Sequence, residues 1–201
     1  LPPNASFFRL TIDDFDLQSL AGGEGARGKV EEALARIERA AMQEVEATAV
    51  RVPVFEALKQ LIVSGNVLVH MPKDGGVRVF RLDRYVCQRD AMGNVLEIIT
   101  KETVSPMVLP KEVQELLTKP DNKEAQLKSV DLYTNVKRVN KKWEVHQEVE
   151  GQIIPSSKGS FPLDKSPFMS LRMVRIDGES YGRGYVEEFI GDLSSLETLT
   201  K

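Results

Sequence analysis

VFEALKQLIVSGNVLVHM, residues 54–71, contains the change of pattern that decides the fold. Its first part repeats apolar residues at helical spacing, and Pro53 just before it suits the first turn of a helix. Gly65 can end that helix in a left-handed conformation, and the apolar run after it is typical of a strand. The segment therefore predicts a helix followed directly by a strand, and these helical residues are predicted to face the core: Val54, Phe55, Leu58, Leu61 and Ile62.

The chain before this helix predicts another one. Residues 30–50 carry one apolar stripe at helical spacing, with glutamates and arginines on the opposite face. AGGEGARG, residues 21–28, is predicted to be a flexible loop. FFRLTID, residues 7–13, alternates apolar and polar side chains, which is typical of a strand. The apolar stripe of the helix consists of Val30, Leu34, Ile37, Ala41 and Val45.

The chain after residue 65 is rich in strand patterns. Glycine and asparagine in KDGG and AMGN supply the positive φ angles that tight turns between strands require. A second hairpin is predicted around Asn140 and Lys141, and a final helix has Tyr185, Phe189, Leu193 and Leu196 on one side. Helices and strands are segregated, so the fold class is α+β: a helical pair, then an antiparallel β-meander and hairpins. Strands are predicted at residues 66–71, 77–82, 84–90, 95–102, 131–139, 142–151 and 170–178. A short helix is predicted at residues 109–119.

The composition is that of an ordinary soluble domain. The chain has 201 residues, of which 41% are hydrophobic and 28% are charged. A formal charge of −3 argues against a protein that binds nucleic-acid phosphates over its whole surface. Cys87 is the only cysteine, which excludes a disulfide framework and predicts a buried strand residue. No apolar run approaches the roughly 20 residues that span a bilayer, so no membrane partner is expected.

Three glycines in VRIDGESYGRGYVEEFIGDL, residues 174–193, suggest a phosphate-binding loop. Their spacing fits neither known phosphate motif, because no Lys-Ser or Lys-Thr pair follows and the G-x-G-x-x-G order is reversed. The alternative is a tight reversal that carries the chain from a strand into the last helix. The pattern favours that alternative for Gly178, Gly182 and Gly184.

Other candidate chemistry is equally weak. His70 and His146 lie in separate predicted strands without metal-ligand spacing. Ser180 has no histidine near it in the sequence, which argues against a nucleophile. The aspartates of TIDDFD lack the loop pattern of a calcium site and favour a loop entry or helix cap. No catalytic, cofactor-binding or metal-binding residue is therefore predicted, and an enzyme using Ser180 or this aspartate loop is the weakest alternative.

Long stretches of the chain resemble the portal, or head-to-tail connector, proteins of short-tailed podovirus-type phages. The resemblance covers nearly the whole chain and is much more specific than any glycine pattern. Its strongest stretches are FRLTIDDFD, VFEALKQLIVSGNVLVHMP, YVCQRDAMGNVLEIITKE, VDLYTNV and RMVRIDGESYGRGYVEEFIGDLSSLE.

The resemblance implies a structural phage protein and not an enzyme. Such proteins form a homo-oligomeric ring of about a dozen subunits, a dodecamer, at the unique capsid vertex of the virion. Double-stranded DNA is packaged and ejected through its channel, and assembly takes place in the host cytoplasm. The partners implied are capsid protein, terminase and tail adaptor proteins, with no cofactor. Residues 1–201 would be a wing region, without the N-terminal helical region, stem, clip and C-terminal parts.

A ring brings one patch of each subunit against a different patch of its neighbour, and charges on a rigid turn suit that contact. The candidate interface residues are therefore on and before the glycine-rich turn. An internal salt bridge within one subunit is the alternative for these residues. A scaffold- or baseplate-like phage protein without a DNA channel is the alternative for the whole chain. The interface candidates are Arg172, Arg175, Asp177, Glu179 and Arg183.

Overall fold

The computed structural model describes residues 8–13, 24–117 and 129–200. Within these ranges a pair of helices precedes eight strands, and a broken helix follows them. The helices are α1 (Glu24–Ala47), α2 (Arg51–Ser64), α3 (Lys111–Leu117), α4 (Tyr185–Glu188) and α5 (Ile190–Thr200). The strands are β1 (Asn66–His70), β2 (Arg78–Phe80), β3 (Tyr85–Arg89), β4 (Val95–Val104), β5 (Val130–Val139), β6 (Lys142–Val149), β7 (Gln152–Pro162) and β8 (Phe168–Arg172).

The predicted change from helix to strand at Gly65 is confirmed. Gly65 has a φ of +71°, and its N–H donates to the carbonyl oxygen of Leu61 at 2.9 Å, which closes the last turn of α2. A residue with a side chain reaches this left-handed region only at a cost, so glycine suits the position. β1 then begins at the very next residue.

The predicted core-facing set of α2 is only partly correct. The buried residue of α2 is Ala57, and Leu61 packs beside it against Val67 and Val69 of β1. Phe55 is 61% exposed, and Leu58 and Ile62 are also exposed. The helical period was identified correctly, but the small side chain of Ala57 faces the sheet and the larger apolar residues face outward.

Two antiparallel sheets form the body of the fold. The first has three strands in the order β2-β1-β8, and β1 is its central strand, with Val67 and Leu68 completely buried. The second is a five-stranded meander in the order β3-β4-β5-β6-β7. The predicted turns are present in it: Gly93 has a φ of +85° between β3 and β4, and Asn140 has a φ of +56° between β5 and β6.

A shared core joins the two sheets. Leu68 and Phe80 of the first sheet pack with Ile98, Val136 and Trp143 of the second. α2 covers the opposite face of the first sheet through Ala57, so the layers run helix, three-stranded sheet, five-stranded sheet. A separate cluster under α3 closes the far part of the meander, and it consists of Leu109, Val113, Leu132, Val149 and Ile154.

The α+β class is confirmed, and several local predictions differ from the structure, among them the strand predicted at residues 170–178, which is β8 and ends at Arg172. Residues 8–13 are irregular because no described strand pairs with them, and α1 begins at Glu24, inside the predicted loop. β7 was not predicted; it contains Pro155 and Pro162, which are tolerated on the edge of a sheet, where β7 lies. The last helix is broken at Phe189. No described helix is long and apolar enough to span a membrane.

Candidate functional site

The glycine turn, residues 173–184, connects β8 to α4 and contains most of the predicted interface residues. Its two sides are held together by reciprocal backbone hydrogen bonds: the Val174 N–H donates to the Arg183 carbonyl at 3.1 Å, and the Arg183 N–H donates to the Val174 carbonyl at 3.0 Å. At the tip, Gly178 has a φ of +76°, which lets the chain reverse between Ile176 and Glu179. The turn is therefore a defined hairpin, as the reversal interpretation predicted.

The glycine turn is bound to the second sheet through two side chains. Arg89 of β3 donates from Nε to the Ser180 carbonyl at 3.0 Å and from a terminal nitrogen to the Ser170 carbonyl at 2.9 Å. The hydroxyl of Tyr181 accepts a 2.9 Å hydrogen bond from the backbone N–H of Cys87. Arg89 also donates to the Gly93 carbonyl. One guanidinium therefore joins β8, the glycine turn and the tight turn between β3 and β4.

The turn is bound to the first sheet through Asn66. This side chain is 2% exposed; its Oδ1 accepts from the Gly182 N–H and its Nδ2 donates to the Gly182 carbonyl, both at 2.7 Å. Nδ2 also donates to the Ser64 carbonyl at 2.8 Å. A single buried amide thus satisfies both backbone groups of Gly182, which would otherwise lie unpaired in the interior.

Glycine is required at positions 182 and 184 because the chain there lies directly against other backbone atoms of the protein. A Cβ on Gly182 would lie 2.5 Å from the Val174 carbonyl oxygen, and one on Gly184 would lie 2.6 Å from the Gly65 nitrogen. Real Cβ atoms do not approach other atoms so closely. The space that a phosphate would need beside Gly182 and Gly184 is therefore filled, and the two glycines permit close packing of the chain.

The predicted interface residues divide into two groups. Arg183 lies 3.8 Å from a carboxylate oxygen of Glu179 and 3.6 Å from one of Glu187, and all three side chains are about half exposed. Asp177 is exposed at the tip of the turn. This group includes the internal ion pairs that were the alternative interpretation, although exposed pairs at such distances contribute little stability.

The second group is Arg172 and Arg175, which together with Arg89 form a cluster of three guanidinium groups around Gly93. Arg172 donates to the Glu179 carbonyl at 2.8 Å, and Arg175 donates to the Met92 carbonyl at 2.7 Å. Terminal nitrogens of both arginines come within 3.0 Å of the position where a Cβ on Gly93 would lie, so they are near neighbours. Partial burial lowers the pKa of Arg172, and the positive charges of Arg89 and Arg175 lower it further. The cluster is therefore a site of concentrated positive charge.

The remaining candidates from the sequence have ordinary structural surroundings. His70 stacks on Phe168 with ring centroids 4.1 Å apart, and burial lowers its pKa. Cys87 is buried in β3, as predicted. The hydroxyl of Ser180 accepts a 3.3 Å hydrogen bond from the backbone N–H of Arg89. Among the described residues, no group of three or more potential ligands could hold a metal ion; Asp14 and Asp16 lie outside those residues.

An apolar surface lies next to the glycine turn. α4 packs against α2 and leads into α5, and all three helices expose large hydrophobic residues. We call these residues the helix face. Exposed apolar areas of this kind are typical of surfaces that another protein covers. The helix face consists of Phe55, Leu58, Ile62, Tyr185, Phe189, Ile190, Leu193 and Leu196.

Sequence reasoning missed Arg89 and Asn66, the two residues that fix the glycine turn. Both lie in strands far from the turn in sequence, so their roles depend on which strands become neighbours. The only local signal was that a polar Asn66 opens an apolar strand and that Arg89 precedes a tight turn. Neither signal identifies a partner.

The whole sequence, residues 1–201, matches the family model of the bacteriophage head to tail connecting protein. It is 41% identical over 203 residues to the portal protein of Enterobacteria phage T3 and 38% identical over 204 residues to that of Escherichia phage T7. Each alignment covers 98% of this chain and 38% of the relative. The portal protein of Pseudomonas phage phiKMV is 30% identical over 205 residues, which cover 100% of this chain and 40% of that protein.

Proposed function

The chain belongs to the family of bacteriophage head to tail connecting proteins, and from that premise we propose that it is a structural part of a portal ring. The observation that carries the proposal is the similarity to portal proteins along practically the whole chain. The chain spans 38% of the length of the T7 and T3 proteins, so it accounts for one region of such a protein. We assign it to the wing, the outer α+β region of the subunit.

The proposed ring stands at one vertex of the capsid and encloses the channel through which viral DNA is packaged and ejected. Its role is mechanical and non-enzymatic: terminase docks on it during packaging, and tail adaptor proteins attach afterwards. The proposal also includes a dodecamer that assembles in the host cytoplasm and becomes a virion component. Two features of the described residues support a role in assembly, namely the exposed helix face and the rigid, charged glycine turn beside it.

Electron microscopy of the full-length polypeptide encoded by the gene tests this function. Purified alone, it is expected to form closed rings of about twelve subunits with a central hole. Closed rings follow when the same pair of unlike patches meets repeatedly at a fixed angle. Monomers at micromolar concentration, or particles without a hole, would contradict the portal proposal and favour a phage structural protein without a channel.

We further propose that the glycine turn, with Arg172, Arg175, Asp177, Glu179 and Arg183, lies at the contact between neighbouring subunits. Replacing Arg183 with alanine is then expected to reduce ring yield several-fold while changing the free energy of unfolding by less than about 1 kcal/mol, since its internal ion pairs are exposed. Native mass spectrometry measures the ring yield, and urea unfolding measures the stability.

A matched control for this substitution is Arg81→Ala. Arg81 is also an exposed arginine paired with a nearby carboxylate, that of Asp83, but it lies away from the turn at the start of a short 3-10 helix. Its loss is expected to leave ring yield unchanged. If Arg183→Ala assembles as well as the control, Arg183 serves only its own subunit and the interface assignment for it is wrong.

A further inference from the structure

Among the residues that the structure describes, the positive cluster around Gly93 has no acidic partner. Among the described residues, the guanidiniums of Arg89, Arg172 and Arg175 bond only to carbonyl and hydroxyl oxygens, and none forms an ion pair with a carboxylate. The carboxylate of Asp90, in the tight turn that contains Gly93, is oriented by hydrogen bonds from the backbone N–H and the side-chain amide of Asn94 and forms no ion pair with these arginines. Three like charges are therefore held close together without an ion pair to any carboxylate in the described ranges.

The three arginines differ in how many of their N–H groups are already used in hydrogen bonds. Arg89 uses Nε and both terminal nitrogens on backbone carbonyls, so it serves the fold. Arg172 and Arg175 each donate one hydrogen bond to a carbonyl. A guanidinium has five N–H donors, so most of the donors on Arg172 and Arg175 remain available. Two adjacent guanidinium groups with free donors suit an incoming carboxylate, which can accept several charge-assisted hydrogen bonds.

The surroundings favour a single carboxylate over a nucleic-acid backbone. Asp177 and Glu179 lie on the same turn and would repel the repeated phosphates of DNA. The chain as a whole carries a formal charge of −3, which also opposes binding of an extended polyanion. A protein side chain brings one charge at a time and is compatible with these acidic neighbours.

The best source of that carboxylate on this chain is the pair of helices α4 and α5. Residues 185–200 contain four acidic residues and no lysine or arginine. Glu187 is paired with Arg183, but Glu188 and Asp192 are exposed and form no ion pair with a described residue. The same helices carry part of the helix face, whose apolar residues would be covered when Glu188 and Asp192 meet a partner.

We propose that Arg172 and Arg175 receive a carboxylate of Glu188 or Asp192 from a neighbouring copy of this chain. The inference rests on the proposed ring and specifies the chemistry of its interface. A ring contact joins two different patches, here a positive cluster on one subunit and an acidic helix on the next. Buried between subunits, the pair fixes the register of the contact and slows dissociation.

The first test removes the positive charges in the full-length polypeptide. R172Q/R175Q is expected to need at least about tenfold more protein for half-maximal ring assembly, measured by mass photometry. R81Q/R84Q is the control, because it removes the same number of exposed arginines, both of which have Asp83 as an internal partner. If R172Q/R175Q does not fold, judged by its thermal unfolding, R175Q alone replaces it, with a smaller loss expected.

The second test identifies the partner by exchanging charges between copies. R172E/R175E and E188K/D192K are each expected to fail to form rings alone, because like charges then meet at every contact. An equimolar mixture of the two variants is expected to form rings, since each reversed patch then meets a complementary patch on the other variant. A pair within one subunit cannot produce this rescue by mixing.

The outcomes separate this inference from the function on which it rests. Wild-type protein that forms no rings overturns both the portal proposal and the inference. Wild-type rings with R172Q/R175Q assembling at the control's concentration overturn the inference alone. If an equimolar mixture of R172E/R175E and E188K/D192K forms no rings, the inference alone is likewise overturned. Normal assembly of R172Q/R175Q with weaker retention of DNA also overturns the inference, because the cluster then binds phosphate.

Discussion

Replacing Gly65 with alanine is expected to lower the free energy of unfolding by at least about 4 kcal/mol, close to the limit of what one substitution does. Two costs add at this position. Its φ of +71° costs a residue with a side chain roughly 1–2 kcal/mol. In addition, the new Cβ would lie 2.1 Å from the Arg183 carbonyl carbon and 2.3 Å from the Gly184 nitrogen, so α2 and the glycine turn must separate.

Urea unfolding followed by circular dichroism measures this effect, and two other glycines separate its causes. Gly76 has a φ of +79° but nothing within 4 Å of its Cβ position, so Gly76→Ala is expected to cost only about 1–2 kcal/mol. Gly184→Ala creates the same contact from the other side, with its Cβ 2.6 Å from the Gly65 nitrogen. A cost for Gly65→Ala no greater than that for Gly76→Ala would show that the backbones of residues 65 and 183–184 are not in contact.

Replacing Asn66 with leucine is expected to cost about 3 kcal/mol of stability. Leucine has a similar size but leaves the N–H and the carbonyl of Gly182 buried without a partner, and each unpaired group costs roughly 1–3 kcal/mol. Asn66 is 2% exposed, so water cannot replace the lost hydrogen bonds. The same unfolding measurement applies, and the glycine turn is also expected to become more accessible to limited proteolysis.

The matched control is Asn94→Leu. The Asn94 side chain also makes a hydrogen bond, donating from Nδ2 to the Asp90 carboxylate at 2.9 Å, but it is exposed to water. Its replacement is expected to cost less than about 1 kcal/mol, because solvent can take over the lost partner. Equal costs at positions 66 and 94 would contradict the role assigned to Asn66 in fixing the turn.

Patterns confined to neighbouring residues predicted most of the fold. Gly65 and Gly93 have the positive φ that the sequence indicated, and the hairpin predicted around Asn140 turns there, whereas Asn94 of the AMGN turn does not have the positive φ expected of it. Predictions failed where tertiary packing decides. Phe55 belongs to the apolar pattern of α2, but the small Ala57 is the residue that lets the helix approach β1.

The candidate site was predictable only in part, for the same physical reason. The glycine turn was recognised as a reversal because Gly178, Gly182 and Gly184 cluster locally. The separation of its charged residues into an ion-paired group and a positive cluster was not predictable. The positive cluster exists only because Arg89 and Gly93, far away in sequence, lie beside Arg172 and Arg175. No spacing rule links residues whose proximity is created by sheet topology.

The position of β1 at the centre of the first sheet has a consequence for biosynthesis. The ribosome makes β1 well before β8, and the buried hydrogen bond from Asn66 to Gly182 joins residues 116 positions apart. Contacts this distant in sequence form slowly, whereas the five-stranded meander pairs each strand with the next. Until β8 has been translated, one edge of the apolar strand β1 has no partner and is open to pairing with another nascent chain. Nascent chains made at the same time can therefore associate through β1, and pairing of β8 with β1 ends that exposure.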